Sequence, residues 1–435
     1  MEIISIILAA GKGKRMNSDL PKPLHKIAGK SLMDWLENSL DEVNVTKKIY
    51  VLGHQNEKLK KFIGTSDYVI QNPQLGTGHA VDLTKDKIKN HNSIIIIAYA
   101  DTPFVPSNKI KKMISQIKEG YDVSILGFIA SNPKNYGRVV KNGNEVIKIV
   151  EEVDTDVETK KINLCNSGIL AGKAEKIYNY LSKVKKSKSG EYFLTDIVSI
   201  CTSQGSKVGL VSSHEEDLIG VNDREDLSKT EQIIQNRLRK QHMKHGVTML
   251  DPSSVFIDAS AKLNRDVTIE PNVFIGSNVE IKSKTIIKSF SYLEDCSIGE
   301  DCTIGPFARI RPETEVMNNV KIGNFVEVKK SKINKNSKVN HLTYVGDTAI
   351  GINSNIGAGT ITCNYDGFKK HKTNIGNHVF IGSNVSLIAP LNIKDNSIIG
   401  AGSTISKDVE EDTIAVERSK QKKLKKRKIR HNKKF

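Results

Sequence analysis

From about residue 250 the apolar positions recur every six residues. Ile257, Leu263, Ile269, Ile275, Ile281, Ile287 and Leu293 open the series. After a five-residue step it resumes at Ile298, Ile304, Ile310, Val316, Ile322 and Val328, then Ile333, Val339, Val345, Ile350 and Ile356. It ends with Ile375, Ile381, Leu387, Ile393, Ile399 and Ile405. Neither the helical period of 3.6 nor the strand period of 2 explains this run. A six-residue repeat predicts a parallel β-helix, each hexad a short strand and a turn, with the aliphatic residues stacked inward. Gly follows the inward residue at 276, 299, 305, 323, 346, 351, 357, 376, 382 and 400. The expectation is that it supplies backbone angles closed to β-branched residues. The repeat alone is compatible with a spacer or an oligomerisation module. Between Ile356 and Ile375, however, it breaks into a loop, TCNYDGFKKHKT, for which a spacer has no need.

Residues 1–222 carry another pattern. Ile3–Leu8, Ile49–Leu52, Ile94–Ala98 and Val123–Phe128 are apolar strand candidates. Helical patterns near 77–90, 107–119 and 173–183 separate or follow them, and Ser31 to Asp34 reads as a capping box opening a helix through about Leu40. Strands alternating with helices predict an α/β unit with a mostly parallel sheet and ligands at the carboxyl ends of its strands. Residues 223–245 place Leu227, Ile233, Ile234 and Leu238 among charges and predict a helical linker. The domains are therefore 1–222, 223–245, 246–417 and a basic tail, 418–435.

That tail changes how the charge is read. The chain of 435 residues has a formal net charge of +17, but eleven of its 66 Lys and Arg lie from Arg418 onward, where no acid occurs. The rest carries 55 basic against 49 acidic residues. A basic tail can touch nucleic acid or anionic lipid, yet no aromatic residues interleave its lysines to stack on bases. It reads as a solvated end, and no nucleic-acid partner is expected. No apolar run reaches membrane-spanning length. Ile3–Ala10 is flanked wrongly for a secretion signal. Five cysteines without metal-like spacing argue against a disulfide framework and for a reducing cytoplasm.

Candidate chemistry gathers at two places. After the first strand, LAAGKGKRM (Leu8 to Met16) lets the backbone of Gly11 and Gly13 approach phosphate oxygens, with Lys12, Lys14, Arg15 and then Lys22 adding charge. It is neither G-x-G-x-x-G nor a P-loop, and alone it is also compatible with an ordinary βα turn. Asp101, at the carboxyl end of Ile94–Ala98, is placed to hold Mg²⁺, which takes one or two protein oxygens plus substrate phosphates. In the repeat, His341 stands among Arg311, Glu327, Lys329, Tyr344, Asn355 and Asn364. Stacked coils would bring Glu327 near enough to orient the imidazole and keep it basic.

With Gln71, Gly76 to Ala80, Tyr99 to Asp101, Gly137, Glu151, Asn166 and Gly220 to Asn222, the first half resembles the uridylyltransferase domain of the bacterial bifunctional N-acetylglucosamine-1-phosphate uridylyltransferase / glucosamine-1-phosphate acetyltransferase family. FARIRPE, GNFVEVKK, HLTYVGD, NIGAGTITCNYDG and VFIGS are similar to its acetyltransferase domain. The resemblance implies a Rossmann-like first domain and a left-handed β-helix. It implies that Leu8, Ala9, Ala10, Gly11, Gln71, Gly76 and Thr77 hold the uridine nucleotide, and that Arg15 and Lys22 contact its phosphates. Gly137, Glu151 and Asn166 would hold the amino sugar, Tyr99 and Ala100 would belong to the same nucleotide- and sugar-binding surface, and Asp101 with Asn222 would hold Mg²⁺. In the second half it implies His341 as general base oriented by Glu327, Arg311 and Lys329 on the sugar phosphate, and Tyr344 and Asn355 on the sugar. Ala358, Asn364, Tyr365, Ser383, Ala401 and Arg418 would contact acetyl-CoA. A homotrimer is implied, three chains sharing each acetyltransferase site. Ala100 departs from the family's usual Gly, and its methyl is expected to crowd the sugar; Asn340 departs from a small residue and is expected to alter the local turn.

Overall fold

The computed structural model describes residues 1–53, 57–188 and 190–424. They form two compact units, one ending at Ile234 and the other beginning at Gln235.

The first unit is built on one sheet. Its strands are β1 (Ile3–Ala9), β2 (Lys47–Leu52), β3 (Asp67–Ile70), β4 (Ile94–Tyr99), β5 (Val123–Ile129), β6 (Arg138–Asn142), β7 (Glu145–Val150), β8 (Leu164–Lys173) and β9 (Val208–Ser213). The order is β9-β5-β8-β4-β1-β2-β3, with β6 and β7 as a hairpin added to β8. Every neighbouring pair in the main path is parallel except those made by β8. The parallel strands are continuous apolar runs because helices cover both faces. Ile4, Ile6, Ile95 and Ile97 face one core, and Ile7, Ile94, Ile96 and Ala98 the other. The capping box at Ser31 is present, with Asp34 N donating to Ser31 Oγ at 3.0 Å and Ser31 N to Asp34 Oδ2 at 3.0 Å. The helix predicted over 77–90 stops at Asp82. Thr84 Oγ1 donates to the Val81 carbonyl at 2.6 Å, in place of a continuing helical bond, and a short 3₁₀ turn, Lys85–Lys87, follows.

In the second unit three parallel sheets of ten, nine and eight short strands form the faces of a prism. Each strand pairs with the one a full coil later, Ile257 with Ile275 and Ile275 with Leu293. Every aliphatic position in the six-residue series is buried, in one continuous core. The five-residue steps fall at a single edge, where Leu293, Val328 and Val345 of the second face lead to Ile298, Ile333 and Ile350 of the third. The helix Arg224–Lys244 gives its last part to this unit. There the Gln235 amide donates to Ile257 O and accepts from Ile257 N, both at 2.9 Å. It serves as a strand edge would, and Arg239 caps the Val255 carbonyl at 3.0 Å.

Two expectations about the repeat are corrected. The prism edges need left-handed backbone, but mostly Asn and Asp supply it, as at Asn272 (φ 59°) and Asn278 (φ 54°), residues that tolerate this region best after Gly. Most glycines after inward residues serve close approach instead. A Cβ on Gly323 would lie 1.9 Å from the Asn340 carbonyl oxygen of the next coil. The repeat also does not stop at Ile356. Thr362 takes the next inward place, in register with Leu387, and is buried. Its hydroxyl accepts from Gly346 N at 2.8 Å, which lets a polar side chain occupy an aliphatic column. The inserted loop begins only after it. Leu342, and not Asn340, makes the turn near His341: Asn340 lies within the strand Lys338–His341 and Leu342 has φ 51°.

Candidate active sites

In the first unit the carboxyl ends of β1 and β4 open into a cleft of about 250 Å³. Leu8, Ala9, Ala10, Gly11, Lys22, Gln71, Gly76, Thr77, Tyr99, Ala100 and Asp101 all line it. A second hollow of about 810 Å³ continues it along Lys12, Gly13 and Lys14. Gly11 faces open space, so a ligand can approach its backbone. Gly76 is held at φ 99° with Tyr192 O where a Cβ would stand, and its carbonyl accepts from Gln71 Nε2 at 2.8 Å. Ala100 lines the cleft and is almost fully buried, in the same apolar cluster as Ala9, Ala98 and Val105.

Charges pair across the cleft. Lys22 Nζ is bound to Asp101 Oδ2. Arg15 Nη2 donates to Asn222 Oδ1 at 3.0 Å. The two oxygen donors are brought to one place by the backbone, Val221 N donating to Asp101 O at 2.8 Å. Both oxygens already hold cationic partners, so the chemistry of the pair suits a hard cation. Beside the cleft Asn166 N donates to Gly137 O at 2.8 Å, and Glu151 accepts from Thr195 Oγ1 at 2.6 Å. Burial pushes the Glu151 carboxyl above its usual range, with Thr195 acting against it. Tyr99 links the parts: its ring rests on Gly168, and burial raises its phenol. Sequence reasoning missed Gln74, Glu191 and Thr195, which belong to no Gly-rich or strand-end signal.

The second site is a column along one edge of the prism. His341, Ala358, Ser383 and Ala401 occupy the same place in successive coils, each just before a left-handed corner residue: Leu342, Gly359, Asn384 and Gly402. The coils are tied by Gly359 N to His341 O (3.2 Å), Asn384 N to Ala358 O (2.7 Å) and Gly402 N to Ser383 O (2.8 Å). At roughly 4.8 Å per coil, the column runs about 14 Å from His341 to Ala401. Below His341 the corners are Phe290, Phe307 and Phe325, stacked with centroids 4.9 and 5.0 Å apart. Above it they are Gly359, Asn384 and Gly402, so no aromatic side chain stands at these corners. Arg418 Nη1 closes the column's far end, donating to Ala401 O at 3.0 Å. The tail beyond residue 424 lies outside the described residues.

Glu327 does not meet the imidazole within this chain. It accepts from Arg311 Nη1 at 2.6 Å, because it stands beside Arg309 and Tyr344 on the adjacent face. The neighbour of His341 Nδ1 is Asn324 Oδ1, at 2.8 Å. Lys329 lies against Lys370, whose ammonium is the largest cause holding the Lys329 amine below its usual range, with burial and Arg311 adding. Three cations thus converge, and Lys370, in the inserted loop, was not singled out from sequence. The loop closes on itself through His371 Nε2 and Asp366 Oδ2 at 2.7 Å. It presents Tyr365, and Asn364, whose Nδ2 donates to Asp347 Oδ2 at 2.5 Å. Asn355 lies one coil above Lys338, half-buried.

Comparisons with known proteins agree with both halves. The pattern of the MobA-like NTP transferase domain matches residues 5–155, and that of the bacterial transferase hexapeptide (six repeats) matches 295–330 and 372–407. The bifunctional protein GlmU of Caldanaerobacter subterraneus subsp. tengcongensis is 42% identical over 440 residues, spanning 97% of this chain and 96% of its own. The chain belongs to the bifunctional GlmU family. The GlmU protein of Novosphingobium aromaticivorans is 47% identical over 421 residues, 96% of this chain and 93% of its own. A putative glucose-1-phosphate thymidylyltransferase structure from Bacillus anthracis is 20% identical, covering 53% of this chain and 94% of that one, with a TM-score of 0.45. The repeat is the left-handed hexapeptide β-helix and the first unit a Rossmann-like nucleotidyltransferase fold. No helix among the described residues is long and apolar enough to cross a membrane.

Proposed function

We propose that the cleft and the column are two active sites, and assign their residues as follows. The enzyme transfers acetyl from acetyl-CoA to glucosamine-1-phosphate, then uridylyl from UTP to N-acetylglucosamine-1-phosphate, releasing pyrophosphate.

In the cleft, Leu8–Gly11, Gln71, Gly76 and Thr77 take the uridine nucleotide, and Tyr99, Ala100, Gly137, Glu151 and Asn166 the amino sugar. A phosphate oxygen of N-acetylglucosamine-1-phosphate attacks the α-phosphorus of UTP in line, and the bond to pyrophosphate breaks. Arg15 and Lys22 neutralise the charge that develops on the phosphates. Asp101 and Asn222 would hold Mg²⁺, which when bound offsets phosphate charge.

In the column, His341 Nε2 takes a proton from the glucosamine amine as the nitrogen attacks the thioester carbonyl; the C–S bond breaks and coenzyme A leaves as thiolate. Arg311, Lys329 and Lys370 hold the sugar phosphate, Glu327 steadying Arg311. Tyr344 and Asn355 meet the sugar. Acetyl-CoA lies along Ala358, Ser383 and Ala401, with Asn364, Tyr365 and Arg418 at its sides. The exposed ladder Phe290, Phe307 and Phe325 supports assembly into a homotrimer, since a contiguous exposed apolar strip favours association. Five free cysteines suit the cytoplasm.

The observation that carries this reading is the column: a histidine with Ala358, Ser383 and Ala401 in register on the coils above it, and a cluster of Arg311, Lys329 and Lys370 on the adjacent face. The test supplies purified protein with glucosamine-1-phosphate, acetyl-CoA, UTP and Mg²⁺. UDP-N-acetylglucosamine and pyrophosphate form, and N-acetylglucosamine-1-phosphate accumulates when UTP is withheld. UDP-glucosamine as the first product would overturn the order.

A further inference from the structure

We infer that Asn324 is the positioning residue of the acetyltransferase site, fixing the orientation and tautomer of His341. This rests on His341 acting as the base. Three observations carry it. Asn324 and His341 are Cα partners in adjacent coils, one below the other in the same column, so their meeting is set by the coil register and not by a mobile side chain. On that face of the prism the other strands are two residues long, whereas Lys321–Asn324 and Lys338–His341 are each extended to four, and the extension ends on this pair. The extension depends on Gly323, the position where a Cβ would meet the Asn340 carbonyl at 1.9 Å.

The contact has a chemical consequence. Asn324 Oδ1 has only lone pairs to offer, so His341 Nδ1 carries the proton and donates to it at 2.8 Å. The Nε2 lone pair is then free, in one direction, for the substrate amine. Because an amide is neutral, it orients the ring without favouring the imidazolium, which a carboxylate in its place would do. Glu327, occupied by Arg311 at 2.6 Å, leaves this role to Asn324.

The test is the pH dependence of acetyl transfer in full-length Asn324→Ala and Asn324→Asp proteins, with uridylyl transfer as the check on folding. Asn324→Ala lowers kcat for acetyl transfer roughly tenfold to hundredfold, with little change in KM for glucosamine-1-phosphate. Asn324→Asp retains orientation but moves the acid limb of the profile to higher pH, by about one unit or more. His341→Ala, run alongside, loses acetyl transfer. An unchanged kcat and an unmoved acid limb in both Asn324 variants, with His341→Ala inactive, would overturn the positioning role while leaving the base intact. Acetyl transfer surviving in His341→Ala would instead overturn the base itself.

Discussion

Lys22 and Asp101, 79 positions apart, form an ion pair on the wall of the nucleotide cleft. The pair holds together the cation proposed to meet phosphate and the carboxylate proposed to hold the metal. Removing either leaves the other uncompensated. Lys22→Ala and Asp101→Asn should each lower uridylyl transfer about 10²–10³-fold and leave acetyl transfer unchanged, measured by pyrophosphate release and thiol release on the same preparations.

Two glycines separate binding from folding. Gly323→Ala places a methyl against backbone that cannot move aside. Such overpacking should cost about 3 kcal/mol, seen as a lower denaturation midpoint of the β-helix. Gly11→Ala meets nothing within 4 Å. It should fold with an unchanged midpoint and show a raised KM for UTP.

Glu151 gives a pH prediction. Its carboxyl is raised chiefly by burial, so the folded state binds more protons than the unfolded one between the ordinary carboxylate range and the raised value. Its stabilising contribution is full below that range and is lost as pH rises through the raised value. Glu151→Gln should therefore raise Tm at neutral pH, flatten its dependence across weakly acid pH, and weaken uridylyl transfer. A lower Tm at neutral pH would contradict this.

Thr362 tests the interior of the coil. Thr362→Val keeps the shape but leaves the buried Gly346 N–H without its acceptor, a loss of about 1–3 kcal/mol. Equilibrium unfolding measures it.

The spacing of Ile257 to Ile405 made the prism legible, because each inward residue repeats the same demand for burial. The cleft was legible in part because Leu8 to Gly11 and Asp101 sit at strand ends and turns, where sequence signals are local; Gly76 and Thr77 came from the family resemblance alone. What escaped was set by register across coils. Asn324 meets His341 only because two strands a coil apart are extended, and Glu327 turns to Arg311 because it lies on a different face. Thr362 escaped because its hydroxyl interrupts the apolar series while its acceptor role is visible only in three dimensions. The glycines after inward residues read as φ positions because the close approach between coils is visible only in three dimensions, while the left-handed corners fall elsewhere, as at Asn272 and Asn278.

The most direct test of two active sites in one chain is thiol release from acetyl-CoA in the presence of glucosamine-1-phosphate, with UTP and Mg²⁺ omitted. Release that requires the sugar phosphate, persists in Lys22→Ala and vanishes in His341→Ala is the predicted result. No release from the folded wild-type protein, or release undiminished in His341→Ala, would contradict it.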